Sequence, residues 1–303
     1  MSRSLLITLL LLLSACSPPP PEPLRIAINP WPGFEYLYLA EQLNLFAAEG
    51  VQVQIIQLAS ANDSSRAYGL GQVDGYCTTP GGVLLSREQS GRQPQIVHVT
   101  DYSNGGDVIV AKAPIRTLQQ LIGKRVGVEP GSLNSYVLAR ALRRNGLAIE
   151  QLTLVNLGQT EMLEALQNGV LDAAVSYPPF SVPLLKGPTY QEIFTTRSIP
   201  GEVLDVIAFD ASVLATRKLE VQAMLRALDE AYEYARVHPD EANRLMAARE
   251  NLAPQEFAKI IRNDIQVLRA VDQPFYLGSH GLLMQALQNT QDVLLANDEL
   301  QQA

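Results

Sequence analysis

A strand stopped by proline and followed by a helix occurs twice in this chain, a hundred residues apart, and this limits the possible folds more than any other feature. Leu24-Arg25-Ile26-Ala27-Ile28-Asn29-Pro30 leads into a helix-like stretch from Phe34 to Phe46, and Lys124-Arg125-Val126-Gly127-Val128-Glu129-Pro130 leads into another from Leu133 to Arg144. In each half a second strand follows, Val51 to Leu58 or Leu152 to Leu157, then a second helix through Tyr68 or through Leu166. Each second helix stops at a glycine and enters a third strand, Gly71 to Tyr76 or Gly169 to Val175, both carrying an apolar-Asp step at Asp74 and Asp172. Strand and helix alternation with short links predicts βαβ units on a mostly parallel sheet flanked by helices, and two such units predict two lobes with a cleft between them. The segment after Val203 reads as mainly helical, with Leu225, Leu228 and Tyr232 at helical spacing, and is expected to return to the first lobe. The expected partition is residues 24–110 with 205–303 in lobe one and 111–204 in lobe two. The apolar runs Val108 to Lys112 and Val203 to Phe209 would make the crossings.

The N-terminus bears on compartment. Arg3, the apolar run Leu5 to Leu13 and the step Leu13-Ser14-Ala15-Cys16 read as a signal peptide over residues 1–15, too short in its apolar part to span a bilayer. That step resembles the bacterial lipobox, which implies cleavage before Cys16 and acylation there, with palmitate among the expected groups. Residues 16–23, rich in proline, would hold the body off the membrane as an extended spacer. Only Cys77 then remains for the mature chain, so no intrachain disulfide is expected and stability rests on core burial. A composition of 47% hydrophobic and 18% charged residues is that of a globular body. Losing Arg3 takes the formal charge from −8 to −9, which argues against nucleic acid as a partner.

Open parallel sheets take ligands at the carboxyl ends of their strands, which selects six loops here. Ser60-Ala61-Asn62 and the start at Ser132 offer hydroxyls and free amides suited to an anion, although Ser60, Asn62, Ser132 and Asn134 read equally as plain helix caps. Trp31, Phe34, Tyr177 and Phe180 stand in these loops as a potential aromatic lid, or as simple packing. Asp205 lies within Val203-Leu204-Asp205-Val206-Ile207-Ala208-Phe209, where a carboxylate needs a partner and a ligand amine would serve. Asp107 invites the same idea, but a structural bond to turn backbone is the favoured role. Nucleophile elbow, zincin, P-loop and dinucleotide motifs are absent, and the three histidines are scattered, so no catalytic residue, metal or cofactor is expected.

The Ser132 helix start, Asn168-Gly169-Val170-Leu171-Asp172-Ala173 and Tyr177-Pro178-Pro179-Phe180 together resemble the nitrate, sulfonate and taurine substrate-binding proteins of ABC transporters. Leu118 to Val128 and Asp101 to Val110 share the likeness. The resemblance implies a type II periplasmic-binding-protein fold, closure on a small polar ligand, docking on an ABC permease, and a monomer on the periplasmic side of a bacterial membrane. Family binding positions carry over to Trp31, Ser60, Ala61, Thr79, Pro80, Ser132, Leu133 and Tyr177. With Asp205 holding an amine, the expected ligand is a small anionic or zwitterionic solute, sulfonate-like or taurine-like. Two alternatives stay open: a sensing module docking on a membrane receptor, and a binder of a pyrimidine or thiamin precursor.

Overall fold

The computed structural model describes residues 22–129 and 132–301. The signal segment, Cys16 and most of the spacer lie outside the described residues, as do Pro130 and Gly131. Eleven strands form two sheets among the described residues: β1 (Leu24–Ile28), β2 (Val53–Gln57), β3 (Gly75–Thr78), β4 (Pro94–Ser103), β5 (Val108–Lys112), β6 (Arg125–Val128), β7 (Thr153–Asn156), β8 (Ala173–Ser176), β9 (Tyr190–Thr195), β10 (Leu204–Asp210) and β11 (Ile265–Val267). The first sheet runs β11-β4-β10-β3-β1-β2 and the second β7-β6-β8-β5-β9. The chain thus adopts the two-lobed α/β architecture that the repeat predicts.

The repeat has a physical cause that both halves share. In the first, the Asp74 carboxylate accepts the Arg25 amide at 2.9 Å and the Arg25 guanidinium at 2.8 and 3.2 Å, while the Asp74 amide donates to the Arg25 carbonyl. In the second, Asp172 does the same for the Arg125 amide at 2.9 Å and its guanidinium at 3.2 and 3.3 Å. Each pair fixes the register between the first and third strands of its lobe. Both third strands therefore start later than the sequence suggests, because Gly71 and Gly169 are left-handed turn residues at φ +71° and the aspartates are bound sideways.

Parallel pairing is confined to β2-β1-β3 and β7-β6-β8. The sheets are mixed rather than mostly parallel, because β10 and β5 enter antiparallel at the end of each crossing. β5 pairs wholly in the second sheet and β10 wholly in the first. On β10, Ile207 and Phe209 face one layer while Leu204, Val206 and Ala208 face the other, the period-two pattern of a strand covered on both faces.

The helices are α1 (Glu35–Gln42), α2 (Leu45–Ala48), α3 (Ala61–Gly69), α4 (Pro80–Ser90), α5 (Leu133–Arg144), α6 (Gln159–Gln167), α7 (Ser181–Leu185), α8 (Ala211–Val237), α9 (Pro239–Arg249), α10 (Pro254–Asn263), α11 (Gln273–Leu277) and α12 (Leu282–Ala296). The expected single helix from Phe34 to Phe46 is broken, since Asn44 takes φ +55° between α1 and α2. α8 begins well before the apolar stripe of Leu225, Leu228 and Tyr232 because Asp210 caps it at the Ser212 amide, and Arg217 departs from helical geometry in between.

Candidate functional site

The loops at the carboxyl ends of β1, β2, β3, β6 and β8 meet between the sheets around a half-open, tightly closed-down cleft. Both lobes supply walls. Trp31, Ala61, Thr79 and Asp205 come from the first, Ser132, Leu133 and Tyr177 from the second. Two of the residues named from sequence stand elsewhere: Ser60 is not among the walls, and Pro80 lines a smaller neighbouring space shared with Thr79 and Ser132. Asn29, Phe34, Thr78, Asp107, Glu129 and Asn134 complete the walls.

The Trp31 indole is buried, donates from Nε1 to Asp101 Oδ1 at 3.1 Å, and meets the Tyr177 ring edge-on at 6.0 Å. Tyr177 packs edge-on against Phe180 at 5.5 Å, and both rings join the hydrophobic cluster of the first lobe. A loop of one lobe is thus seated in the core of the other.

The hydroxyls expected to face a ligand are spent locally. Ser60 Oγ accepts the Asp63 amide and donates to the Asp63 carboxylate. Ser132 Oγ accepts the Asn134 amide and donates to the Glu129 carbonyl at 2.7 Å. Thr79 Oγ1 caps α4 at the Gly82 amide. For all three the capping role is the one realised.

What faces the space instead is a set of acids. Asp205 sits opposite Asp101 across the β4-β10 ladder. Burial pushes Asp101 up to about 6 and Asp205 well above the usual carboxylate range, the latter helped by the charges of Asp101 and Asp107. Asp107 rises to about 7 through burial, and Glu129 rises to about 7 for the same reason although the Ser60 hydroxyl partly offsets it. Among the described residues, both oxygens of Asp107, Oε2 of Glu129, Oδ2 of Asp205 and Oδ1 of Asn29 have no hydrogen-bond partner. Asn134 is oriented by its neighbours: Oδ1 accepts Gln159 Nε2 at 2.7 Å, and Gln159 Oε1 accepts the Ser176 hydroxyl at 2.9 Å, so Asn134 Nδ2 is left unpartnered. Among the described residues, neither lysine nor arginine lines the space.

Sequence reasoning gave Asp107 a structural role and did not name Glu129 or Asn29 as site residues. The missed signal was positional. Asn29 and Glu129 occupy the same slot of the repeat, the last residue before the proline that stops each first strand.

Residues 31–242 match the family described as NMT1/THI5 like, well over half of the sequence. The chain belongs to that family. A Brucella abortus chain named as a binding protein is 21% identical over 224 residues, covering 73% of this chain and 69% of that one. Among solved structures, the alkanesulfonate-binding protein SsuA of Xanthomonas axonopodis pv. citri, bound to MOPS, superposes with a TM-score of 0.78 at 17% identity, covering 94% of this chain and 96% of that one. The periplasmic aliphatic sulphonate binding protein SsuA of Escherichia coli gives 0.75 at 19% identity, covering 93% and 95%. The two-lobed periplasmic-binding-protein fold expected from the sequence is therefore borne out. At such identities the structural likeness is one of fold.

Proposed function

We propose that this protein is the solute-capturing component of an ABC importer, working outside the cytoplasm and held to the membrane through an acylated Cys16. It carries out no chemistry on its ligand. In this reading the lobes are those expected from the sequence with their boundaries moved slightly, because β5 pairs in the second sheet and β10 in the first: lobe one comprises residues 24–107 and 204–301, and lobe two residues 108–203. The observation that supports it best is a cleft with walls from both lobes, crossed by the Trp31–Tyr177 contact. A site divided between two bodies removes water from its ligand when they close and gives the ligand up when they part.

The ligand in this reading is a small polar organic solute bearing an amine, with Asp205 as its acceptor. The closed pair of lobes is what a permease would recognise. A thermal-shift screen of the purified protein against small polar solutes tests this, because a ligand at a hundred times its Kd adds about 2.7 kcal/mol. Stabilisation by one solute class, with a matching change in Trp31 emission, is expected. A panel of amines, amino acids, sulfonates and heterocycles that leaves both readouts unchanged sinks the reading.

A further inference from the structure

We propose that the cavity takes a small organic cation carrying N–H donors at more than one end, and that it rejects oxyanions such as sulfonates. This rests on the solute-binding reading above and deepens it. Five side-chain oxygens with no partner among the described residues, on Asn29, Asp107, Glu129 and Asp205, belong to residues lining one cleft. All four residues are at most 4% exposed. Leaving buried acceptors unmatched is costly, and matching them calls for donors. Against these oxygens the walls offer the unpartnered amide donor Asn134 Nδ2, whose orientation the Gln159 contact fixes, and the hydroxyls of Thr78, Thr79 and Tyr177, so acceptors still exceed charged donors.

An oxyanion would meet the reverse of what it needs. Once Asp107, Glu129 or Asp205 is ionised, the oxyanion's negative oxygens would face like charge, with no lysine or arginine among the described wall residues to compensate. The helix starts that elsewhere attract anions do not supply one either, since the Ser60 and Ser132 hydroxyls are committed to their caps and the Glu129 carboxyl lies against Ser60.

The acceptors are also dispersed. Asn29 follows β1, Asp205 lies on β10, Asp107 immediately precedes β5, and Glu129 follows β6 in the other lobe. Among the described residues no three acid, histidine or cysteine side chains converge as metal ligands would. The acceptors therefore suit a molecule with separated donors, an alkyl diamine or an amidinium on a carbon body, better than a point charge. Trp31, Phe34 and Tyr177 line the same space and supply apolar and π surface for that body.

A cation would draw protons off the acids it pairs with. Tyr36, Cys77, Tyr177 and Tyr232 face the acid cluster from other elements, where burial pushes each of them upward and keeps it neutral, while the Asp63 carboxyl faces Glu129 and the Glu250 carboxyl faces Tyr177. Carboxyls alone thus titrate near neutrality, and binding is expected to release protons and to strengthen as pH rises through 6 to 7.

Calorimetry on the purified protein at pH 6.5 tests the proposal with four probes: butane-1,4-diamine, benzamidine, butane-1-sulfonate and 3-aminopropane-1-sulfonate. At least one cation should bind, with heats that change between buffers of different ionisation enthalpy, and neither sulfonate should. Asp107→Asn and Asp205→Asn should each weaken the cation at least tenfold. Asparagine keeps the shape of a protonated carboxyl, so both variants should melt like the parent. A sulfonate or neutral solute binding as well as the cations, or cation affinity unchanged in both variants, overturns the cation assignment and leaves solute capture standing. If no solute of any charge class binds, both readings fall together.

Discussion

Replacing Gly105 with alanine should cost stability through two separable terms. Gly105 lies in the segment that carries the chain from β4 to β5, at φ +123°, and its amide donates to Thr196 Oγ1 at 2.8 Å in the opposite crossing. A side chain in that backbone region costs about 1–3 kcal/mol. A Cβ there would also lie 2.5 Å from Arg197 Cζ. The Arg197 guanidinium reaches the Asn263 carbonyl at 3.3 Å and pairs with the Asp264 carboxylate, a half-exposed contact whose loss adds up to about 1 kcal/mol. The expected total is roughly 2–3 kcal/mol by urea denaturation at pH 7. In an Arg197→Ala background the steric term is gone while the backbone term stays, so the glycine substitution should cost up to about 1 kcal/mol less there. Gly105→Ala within about 0.5 kcal/mol of the parent would refute the backbone argument. Strict additivity of the two changes would refute the Arg197 part.

Asp210→Asn should destabilise by about 1–2 kcal/mol at pH 7, because this carboxylate caps α8 and accepts Tyr68 Oη at 2.9 Å and Arg92 Nε at 3.1 Å. Burial acts to raise Asp210, but these donors outweigh it and hold the group at about 2, so its stabilisation is present above the ordinary carboxylate range and fades as pH falls from about 4 to 2. Denaturation curves of parent and variant should therefore converge toward pH 2, and a constant gap would contradict the assignment. Trp31→Phe should remove the indole bond to Asp101 and weaken ligand binding several-fold while preserving the ring packing; unchanged affinity would reduce Trp31 to a core residue. Cys16→Ala should abolish incorporation of a fatty-acid analogue in cells, and persistent labelling would rule out acylation at that position.

The repeat was legible because it is written in local signals, a proline after each first strand and an aspartate before each third, and Arg25–Asp74 and Arg125–Asp172 explain why those residue types recur. Loop positions such as Trp31, Ala61, Thr79 and Tyr177 were legible for the same reason, since they sit at strand ends. The chemistry of the cavity was not. Glu129 next to a proline reads as an ordinary loop acid, and only the apposition of the two lobes buries it with Asp107 and Asp205. Hydroxyls at helix starts carried the opposite hint. Whether such a hydroxyl caps its helix or greets a ligand depends on a rotamer, which sequence does not encode.

The place of β10 sets the order in which the molecule can assemble as it emerges from synthesis. β10 lies between β3 and β4 and pairs with both, so until it arrives those two strands have no common neighbour and the first sheet stays in pieces. The second sheet has no such gap, for β5 to β9 follow one another along the chain. The insert can therefore consolidate first, and the lobe that begins the chain is the one that finishes last.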